Sequence, residues 1–248
     1  SKIHGQDMNG DGEGDFGSCI FKKRNAQSYF AIQTFAAPIV QTQGTAQGFH
    51  FDNATMKPIV NNEGWKKAFE LYKATGQYGP PDELNMDIGD TRALFKAGRC
   101  GLIVEWGDPG TLQLDDDAKS IRGKMYAISA VGSTEVLDRA TGKLVPVSAA
   151  TAPYAVDGIN YAPFAAFGGW AGAVNKGADA KTKAAAYAFL SYMNQAAQSG
   201  VDVTIGATGY NPYRTSQLAS TDLWVKAGMP KALADNYLGA INGAINNL

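Results

Sequence analysis

The most constraining feature of this sequence is a short run of apolar residues, CGLIVEW at 100–106, which ends at the turn-forming residues 107–109. The run is short and almost unbroken, which is typical of a strand that is covered on both faces. Strands of this kind occur in sheets that have helices packed on both sides. Similar runs at 16–21 and 169–175 predict two further strands.

Helical patterns alternate with these apolar runs, since apolar residues recur at the spacing of one helix face and capping residues precede them. The predicted helices cover 26–38, 63–75, 91–98, 179–199 and 222–248. Asp90 is the predicted cap of the third helix, and Pro230 interrupts the last. Helices that alternate with buried strands predict an α/β fold.

The chain has two cysteines, Cys19 and Cys100, and each stands at the start of a predicted strand. Neighbouring strands would bring the two side chains face to face, which favours a disulfide. Two reduced thiols in a cytosolic protein would leave the same pattern, so both states stay open at this point. A bridge would close a loop of about 80 residues and stabilise the fold by roughly 4 kcal/mol through chain entropy.

Charge and hydropathy argue against two kinds of partner. The chain has 22 basic and 23 acidic residues, and it lacks the stripe of Lys and Arg that nucleic-acid binding leaves in a sequence. No apolar run approaches the roughly 18–20 residues that a membrane helix needs. We therefore expect neither a nucleic-acid partner nor membrane insertion of this chain.

Residues 7–15, DMNGDGEGD, alternate oxygen-bearing side chains with small residues. The candidate metal ligands are Asp7, Asn9, Asp11, Glu13 and Asp15. Their spacing matches the start of a calcium loop, in which glycine at the sixth position allows a sharp turn. Ser18 stands where such a loop has its bidentate glutamate, which predicts a weak structural Ca²⁺ site that needs another ligand. A polar hairpin without an ion explains the same residues.

The residues that catalysis would use are few. The two histidines, His4 and His50, lie in polar surroundings, and the sequence has no nucleophile elbow, zinc-protease helix or phosphate-binding loop. Glu105 and Asp108 could form a carboxylate pair, but their place at a strand end favours hydrogen bonding to a ligand. We expect a protein that is not an enzyme. A glycoside hydrolase is the alternative that a carboxylate pair across a cleft would revive.

Aromatic and polar side chains occur at the breaks that follow the predicted strands. These candidate ligand-binding residues are Trp106, Asp108, Trp170, Tyr210, Asn211 and Arg214. Ligands of open α/β sheets bind beyond the carboxyl ends of the strands. An indole ring can stack on the apolar face of a sugar, while carboxylate, amide and guanidinium groups pair with its hydroxyls. The set predicts a site for a small organic solute, above all a carbohydrate. Core packing of each Trp is the competing interpretation.

Four segments resemble, in sequence order, parts of the extracellular solute-binding proteins of sugar-type ABC importers. That family is the maltose-binding-like group of the type II periplasmic-binding superfamily. The segments are NGDGEGDFG at 9–17, TRALFKAGRCGLIVEWGD at 91–108, GGWAGAVNKGADAKTKAAAYAFLSYMNQ at 168–195 and TGYNPYRTSQL at 208–218. They are similar to the family's Asp/Gly hairpin, its strand that ends near a Trp, its Gly-Gly-Trp strand and helix, and its segment with Pro, Arg and Ser. The resemblance covers most of the chain.

The resemblance implies an α/β, periplasmic-binding-protein-like fold that lacks most of its first lobe. Residues 1–165 and 206–248 would form the second lobe. Residues 166–205 would be a crossing segment and a strand–helix unit that belongs to the first lobe in that family. Since this unit would lack its usual sheet, we expect it to fold back, to form a homodimer through 170–200 or to meet a first lobe on another chain. Cys100 replaces a small apolar residue of the family, which fits an added disulfide.

The same resemblance implies an extracytoplasmic protein, periplasmic or extracellular, that binds a solute between lobes and delivers it to a transporter. An alternative from another class is a ligand-sensing or dimerising ectodomain fragment of a larger receptor. The missing first lobe favours the ectodomain, and the retained aromatic and polar residues favour the solute-binding protein. The start of the chain has neither the basic nor the apolar region of a signal peptide, so we expect it to derive from a longer sequence.

Overall fold

The computed structural model describes residues 1–44, 47–164, 169–206 and 208–246. Over these residues the protein mixes helix and sheet, and its named strands form one small antiparallel sheet. The α-helices are α1 (Ser28–Val40), α2 (Glu63–Thr75), α3 (Ile88–Lys96), α4 (Ala180–Met193), α5 (Ala196–Asp202), α6 (Thr215–Ala219), α7 (Asp222–Lys226) and α8 (Lys231–Asn246). The strands are β1 (Glu135–Asp138) and β2 (Lys143–Pro146). Short 3-10 helices cover Gly76–Tyr78, Glu83–Asn85 and Asp108–Leu114.

Capping residues explain where the predicted helices begin. α2 begins at Glu63 because the Asn62 side chain accepts a hydrogen bond from the Trp65 N–H at 3.0 Å. α3 begins three residues earlier than predicted. Its cap is Asp87, and Asp90 completes a capping box by accepting a hydrogen bond from the Asp87 N–H at 2.9 Å. The sequence therefore identified Asp90 at this helix start but not its role, and it did not identify Asp87.

Two predicted strands, 16–21 and 100–106, lie side by side in parallel without forming continuous strands. The described pairing consists of isolated bridges, from Phe16 to Cys100 and from Cys19 to Ile103. On the side that faces away from the 100–106 run, the Ile20 N–H donates to the carboxylate of Glu83 at 2.8 Å and not to another strand. A side chain thus takes the place of further sheet.

This pairing brings Cys19 and Cys100 together, and they form a disulfide with their Cα atoms 5.8 Å apart. The predicted bridge is confirmed. Both cysteines are buried in a cluster with Phe95, Leu112 and Ile121. The disulfide therefore joins the start of the chain to the segment that follows α3.

The prediction of a buried strand at 169–175 is wrong. The segment is not a strand, and nearly all of its residues are exposed. It packs on α4, where a Cβ on Gly172 would come within 2.2 Å of Leu190 Cδ2, and α4 itself has no buried residue. Among the described residues, the segment pairs with no strand, so its apolar composition contributes to no sheet.

Two further clusters hold the helices in place. α1 and α2 pack on each other and on β1 through Ile32, Trp65 and Leu137. Around Trp224, a second cluster joins α7 and α8 to Val203, which follows α5. Because Val203 belongs to this cluster and α5 has buried residues of its own, the poorly covered part of the chain is the segment before α5. The division of the chain into two lobes stays a prediction.

Removal of the disulfide tests how much it contributes to stability. We expect a variant with Cys19→Ala and Cys100→Ala to lose roughly 4 kcal/mol of unfolding free energy, because the unfolded chain regains the entropy of the open loop. Urea denaturation followed by circular dichroism measures the difference. Since the chain has only these two cysteines, a reductant should destabilise the wild type and leave the variant unchanged. Equal stability of the two proteins would contradict the prediction.

Candidate functional site

A cavity of about 310 Å³ lies between α1, the end of the 100–106 run and the last turns of α8. It is lined mainly by apolar and aromatic side chains. The described lining residues are Phe21, Phe30, Ala31, Thr34, Val104, Glu105, Trp106, Gly107, Pro163, Phe164, Asn211, Pro212, Ile241, Ala244 and Ile245. A concave, largely apolar space with a few polar groups is the usual form of a small-molecule site.

Trp106 forms part of the cavity wall, and two aromatic rings fix its orientation. Phe21 stacks on it with ring centroids 5.7 Å apart and an interplanar angle of 11°. Phe30, in the first turn of α1, meets it edge to face at 4.9 Å. Because both neighbours belong to a buried cluster, the indole ring is held in place before any ligand binds.

An ion-paired group lies behind Trp106 and consists of Arg92 from α3 with Glu105 and Asp108. The guanidinium donates to both oxygens of Glu105, at 3.0 and 2.9 Å, and to both oxygens of Asp108, at 2.8 and 3.2 Å. Each carboxylate side chain is 4% exposed. Burial raises the pKa of Glu105 above its ordinary value, although the hydrogen bonds from Arg92 act in the opposite direction. The formal charges of the two carboxylates and the one guanidinium sum to one negative charge.

Asn211 links a distant loop to this group. Its Oδ1 accepts a hydrogen bond from the Asp108 N–H at 2.7 Å, across 103 positions of sequence. Among the described residues, none accepts a hydrogen bond from its Nδ2. The approach requires glycine at position 107, because a Cβ there would lie 2.9 Å from Asn211 Oδ1. The amide donor of Asn211 is therefore left for a ligand in the cavity.

The six residues predicted from sequence have different places. Trp106 and Asn211 line the cavity, and Asp108 lies behind them. Trp170 is 80% exposed, and its indole N–H donates to Gly209 O at 3.2 Å, so it touches the loop before Asn211 without being among the described lining residues.

The two other predicted residues make contacts within the protein. Tyr210 packs on the cluster around Trp224. Arg214 donates to Ser199 Oγ at 3.1 Å and to Asn194 O, and its guanidinium lies over the ring of Tyr213. Arg214 thus connects the end of α4 and α5 to the start of α6.

Sequence reasoning missed Arg92, Phe21, Phe30 and the last turn of α8. Arg92 lies thirteen positions before Glu105 on a helix whose facing direction the sequence left open. The sequence analysis assigned no role to the two Phe side chains. The sequence pointed to this group only through Glu105 and Asp108, which were considered as a carboxylate pair. It did not indicate that Arg92 is the cation that both carboxylates share.

A wider, open depression of about 560 Å³ lies beside the first turn of α2 and the β1–β2 turn. The one carboxylate among its described lining residues, that of Glu63, already has partners within the protein. Glu63 accepts hydrogen bonds from Lys143 Nζ at 2.6 Å and from the Leu144 N–H at 3.0 Å. None of the six predicted ligand residues lines it, so we take the cavity beside Trp106 as the candidate site.

The Asp/Gly segment 7–15 folds as a compact loop around its own carboxylates. Asp7 accepts hydrogen bonds from three backbone N–H groups, those of residues 10–12, and Asp15 accepts from those of residues 8 and 9. The Glu13 N–H, with Asn9 and Arg99, holds the pKa of Asp11 below its ordinary value. The loop therefore gathers negative charge.

Arg99 is the cation that pairs with the carboxylates of this loop. Its guanidinium lies 2.9 Å from Asp11, 3.0 Å from Glu13 and 3.2 Å from Asp15. Within the described residues, no three His, Cys, Asp or Glu side chains are grouped so that they could hold a metal ion. The predicted Ca²⁺ site stays a prediction, in which the ion would replace the guanidinium among three of the five expected ligands.

Substitution of Arg99 tests this loop for calcium. We expect Arg99→Gln to show a larger rise in melting temperature on addition of Ca²⁺ than the wild type, by roughly 4 °C or more, because three carboxylates then lack a counter-charge. Thermal unfolding in Ca²⁺ and in EGTA measures the shift. Arg24→Gln, at an exposed position, is the matched control. No calcium response in Arg99→Gln would leave the loop as a polar turn.

No known protein family, curated protein or solved structure matches this chain. Its functional interpretation therefore rests on the residues described above. In the part of the chain that the structure describes, no helix combines the length and the apolar character needed to cross a membrane.

Proposed function

We propose that this protein binds a small organic solute of the carbohydrate class in the cavity beside Trp106, without catalysing a reaction. The observation that carries the proposal is that the ring of Trp106 and the unshared amide donor of Asn211 border one cavity of about 310 Å³. This volume lies at the lower end of the range for small-molecule sites. It suits one sugar ring better than a chain of them.

The walls of the cavity support binding because they are positioned in advance. Phe21 and Phe30 hold the Trp106 ring, and the Asp108 N–H holds Asn211. Groups that are already ordered lose little entropy when a ligand binds. The indole would stack on the apolar face of the sugar, and Asn211 Nδ2 would donate to a hydroxyl or ring oxygen.

The arrangement of the carboxylates supports binding over hydrolysis. A glycosidase needs one carboxyl group as an acid and another as a base or nucleophile, on opposite sides of the bond that it cleaves. Glu105 and Asp108 instead converge on the same guanidinium, that of Arg92. We therefore assign them a role in holding Trp106 and Asn211 in position.

The disulfide supports an extracytoplasmic location, since disulfides persist in oxidising compartments. Within that setting, the protein would act as a solute-binding protein, or as part of one, that passes its solute to a transporter.

Substitution of Trp106 tests the site. We expect Trp106→Leu to weaken sugar binding about tenfold, because the stacked ring is lost while the apolar volume is partly kept. Isothermal titration calorimetry against a panel of monosaccharides measures the change. Tyr187→Leu is the matched control, since Tyr187 lies on α4 and is largely exposed. A folded Trp106→Leu with wild-type affinity would show that the cavity is not the site. A panel without any binder would contradict the carbohydrate class.

A second candidate function, dimerisation of an ectodomain, is favoured by α4. Its sequence AKTKAAAYAFLSYM is apolar on most sides beyond its first turn, and such helices are normally buried. The aromatic residues exposed here are Trp170 (80%), Tyr187 (71%), Phe189 (62%) and Tyr192 (53%). Together they expose on the order of 500 Å², which is a large share of the roughly 800 Å² per partner of a stable interface. In a dimer with two-fold symmetry, this surface of each copy would cover the same surface of the other copy.

The solution mass tests this second candidate. We expect multi-angle light scattering to give twice the chain mass for the wild type at about micromolar concentration and the chain mass for Phe189→Lys, since a charge in an apolar interface costs several kcal/mol. Phe69→Lys, at another exposed Phe on α2, should leave the dimer intact. A wild type that is monomeric at all concentrations would exclude dimerisation through α4.

A further inference from the structure

The geometry points to a positively charged solute in the cavity beside Trp106, such as an amino sugar or another small organic ammonium compound. This inference rests on the proposed solute site and adds the chemical class of its ligand.

The charges around the cavity have one sign. Of the described residues that line it, Glu105 alone has an ionisable side chain. Glu105 and Asp108 share the single guanidinium of Arg92, so one negative charge in this buried group has no counter-ion among its hydrogen-bond partners. A buried charge without a partner is costly. A cationic ligand would supply the missing charge, whereas a neutral ligand would not and an anion would be repelled.

Glu105 also has acceptor capacity left. Its Oε2 accepts hydrogen bonds from Arg92 Nη2 at 2.9 Å and from the Trp106 N–H at 3.2 Å, while its Oε1 accepts only from Arg92 Nε, at 3.0 Å, among the described residues. An ionised carboxylate offers about four lone-pair sites. One site on Oε1 therefore has no donor among the described residues, and an ammonium N–H placed there would form the stronger, charge-assisted type of hydrogen bond.

The aromatic lining favours the same class of ligand. Phe21, Phe30, Trp106 and Phe164 all border the cavity. The face of an aromatic ring attracts a cation, most strongly for Trp and most strongly where water is excluded. The first turn of α1 and the last turn of α8 also border the cavity. Their partial charges have opposite signs, so the carboxylates set the sign of the field.

Two matched pairs of ligands test the inference on the unmodified protein. One pair is glucosamine and glucose, and the other is choline and its neutral tert-butyl analogue. Within each pair the shapes are alike and one member carries a positive charge. We expect calorimetry to give at least about tenfold tighter binding of the charged member in one pair or in both, because the excess charge lies a few ångströms from the ligand.

A variant pair then locates the effect. Glu105→Gln should reduce the preference for the charged member to less than about threefold, since it removes the excess charge. Glu70→Gln, which removes an exposed carboxylate on α2, should keep the preference. Where circular dichroism shows that Glu105→Gln has not folded, the ligand pairs on the wild type decide alone.

The outcomes separate this inference from the proposed function. Preference for the charged member in either pair supports the inference. Equal or weaker binding of the charged members in both pairs, with sugars of the panel bound, overturns the inference and keeps the solute site. Absence of binding for both pairs and for the whole panel overturns both.

Discussion

The arrangement of the candidate site depends on the contact between Arg92 and two buried carboxylates. The guanidinium connects α3 to Glu105, at the end of the 100–106 run, and to Asp108, at the start of the next 3-10 helix. Trp106 stands between these two residues, and the Asp108 N–H positions Asn211. Removal of one member of a buried ion pair typically costs about 3–5 kcal/mol. The walls of the cavity are therefore held by the same interaction that charges it.

Side chains replace much of the sheet that the apolar runs would otherwise build. The first run is joined to the 100–106 run by the disulfide and by a few parallel backbone bonds. Its end is held by Glu83, which accepts from the Ile20 N–H and forms a buried ion pair with Lys22. Phe21 lies between these two anchored residues and supports the ring of Trp106. The bonds that Ile20 and Lys22 make to Glu83 thus hold Phe21 in one wall of the cavity.

Local features of the fold could be predicted from sequence, and long-range features only in part. α2 and the break before α8 were predicted because caps, prolines and apolar spacing act within a few residues. The disulfide, which joins residues 81 positions apart, was favoured by the sequence but left open. In the candidate site, Trp106 was predicted because it ends an apolar run, and Asn211 because it lies in a loop between predicted elements. Arg92 was missed because its role depends on the direction that α3 faces, and Trp170 lies outside the described lining because its segment found no sheet to join.

The sequence by itself determined where the longer helices lie, favoured the disulfide and placed aromatic and polar residues at the ends of apolar runs. Tertiary structure alone decided which of those residues face one cavity and which sign of charge they face. The physical reason is that helix caps and periodicity depend on neighbouring residues, whereas the charge around a cavity depends on residues such as Arg92, Glu105 and Asp108, which only packing brings together. The chemical class of a ligand is set by that second kind of contact.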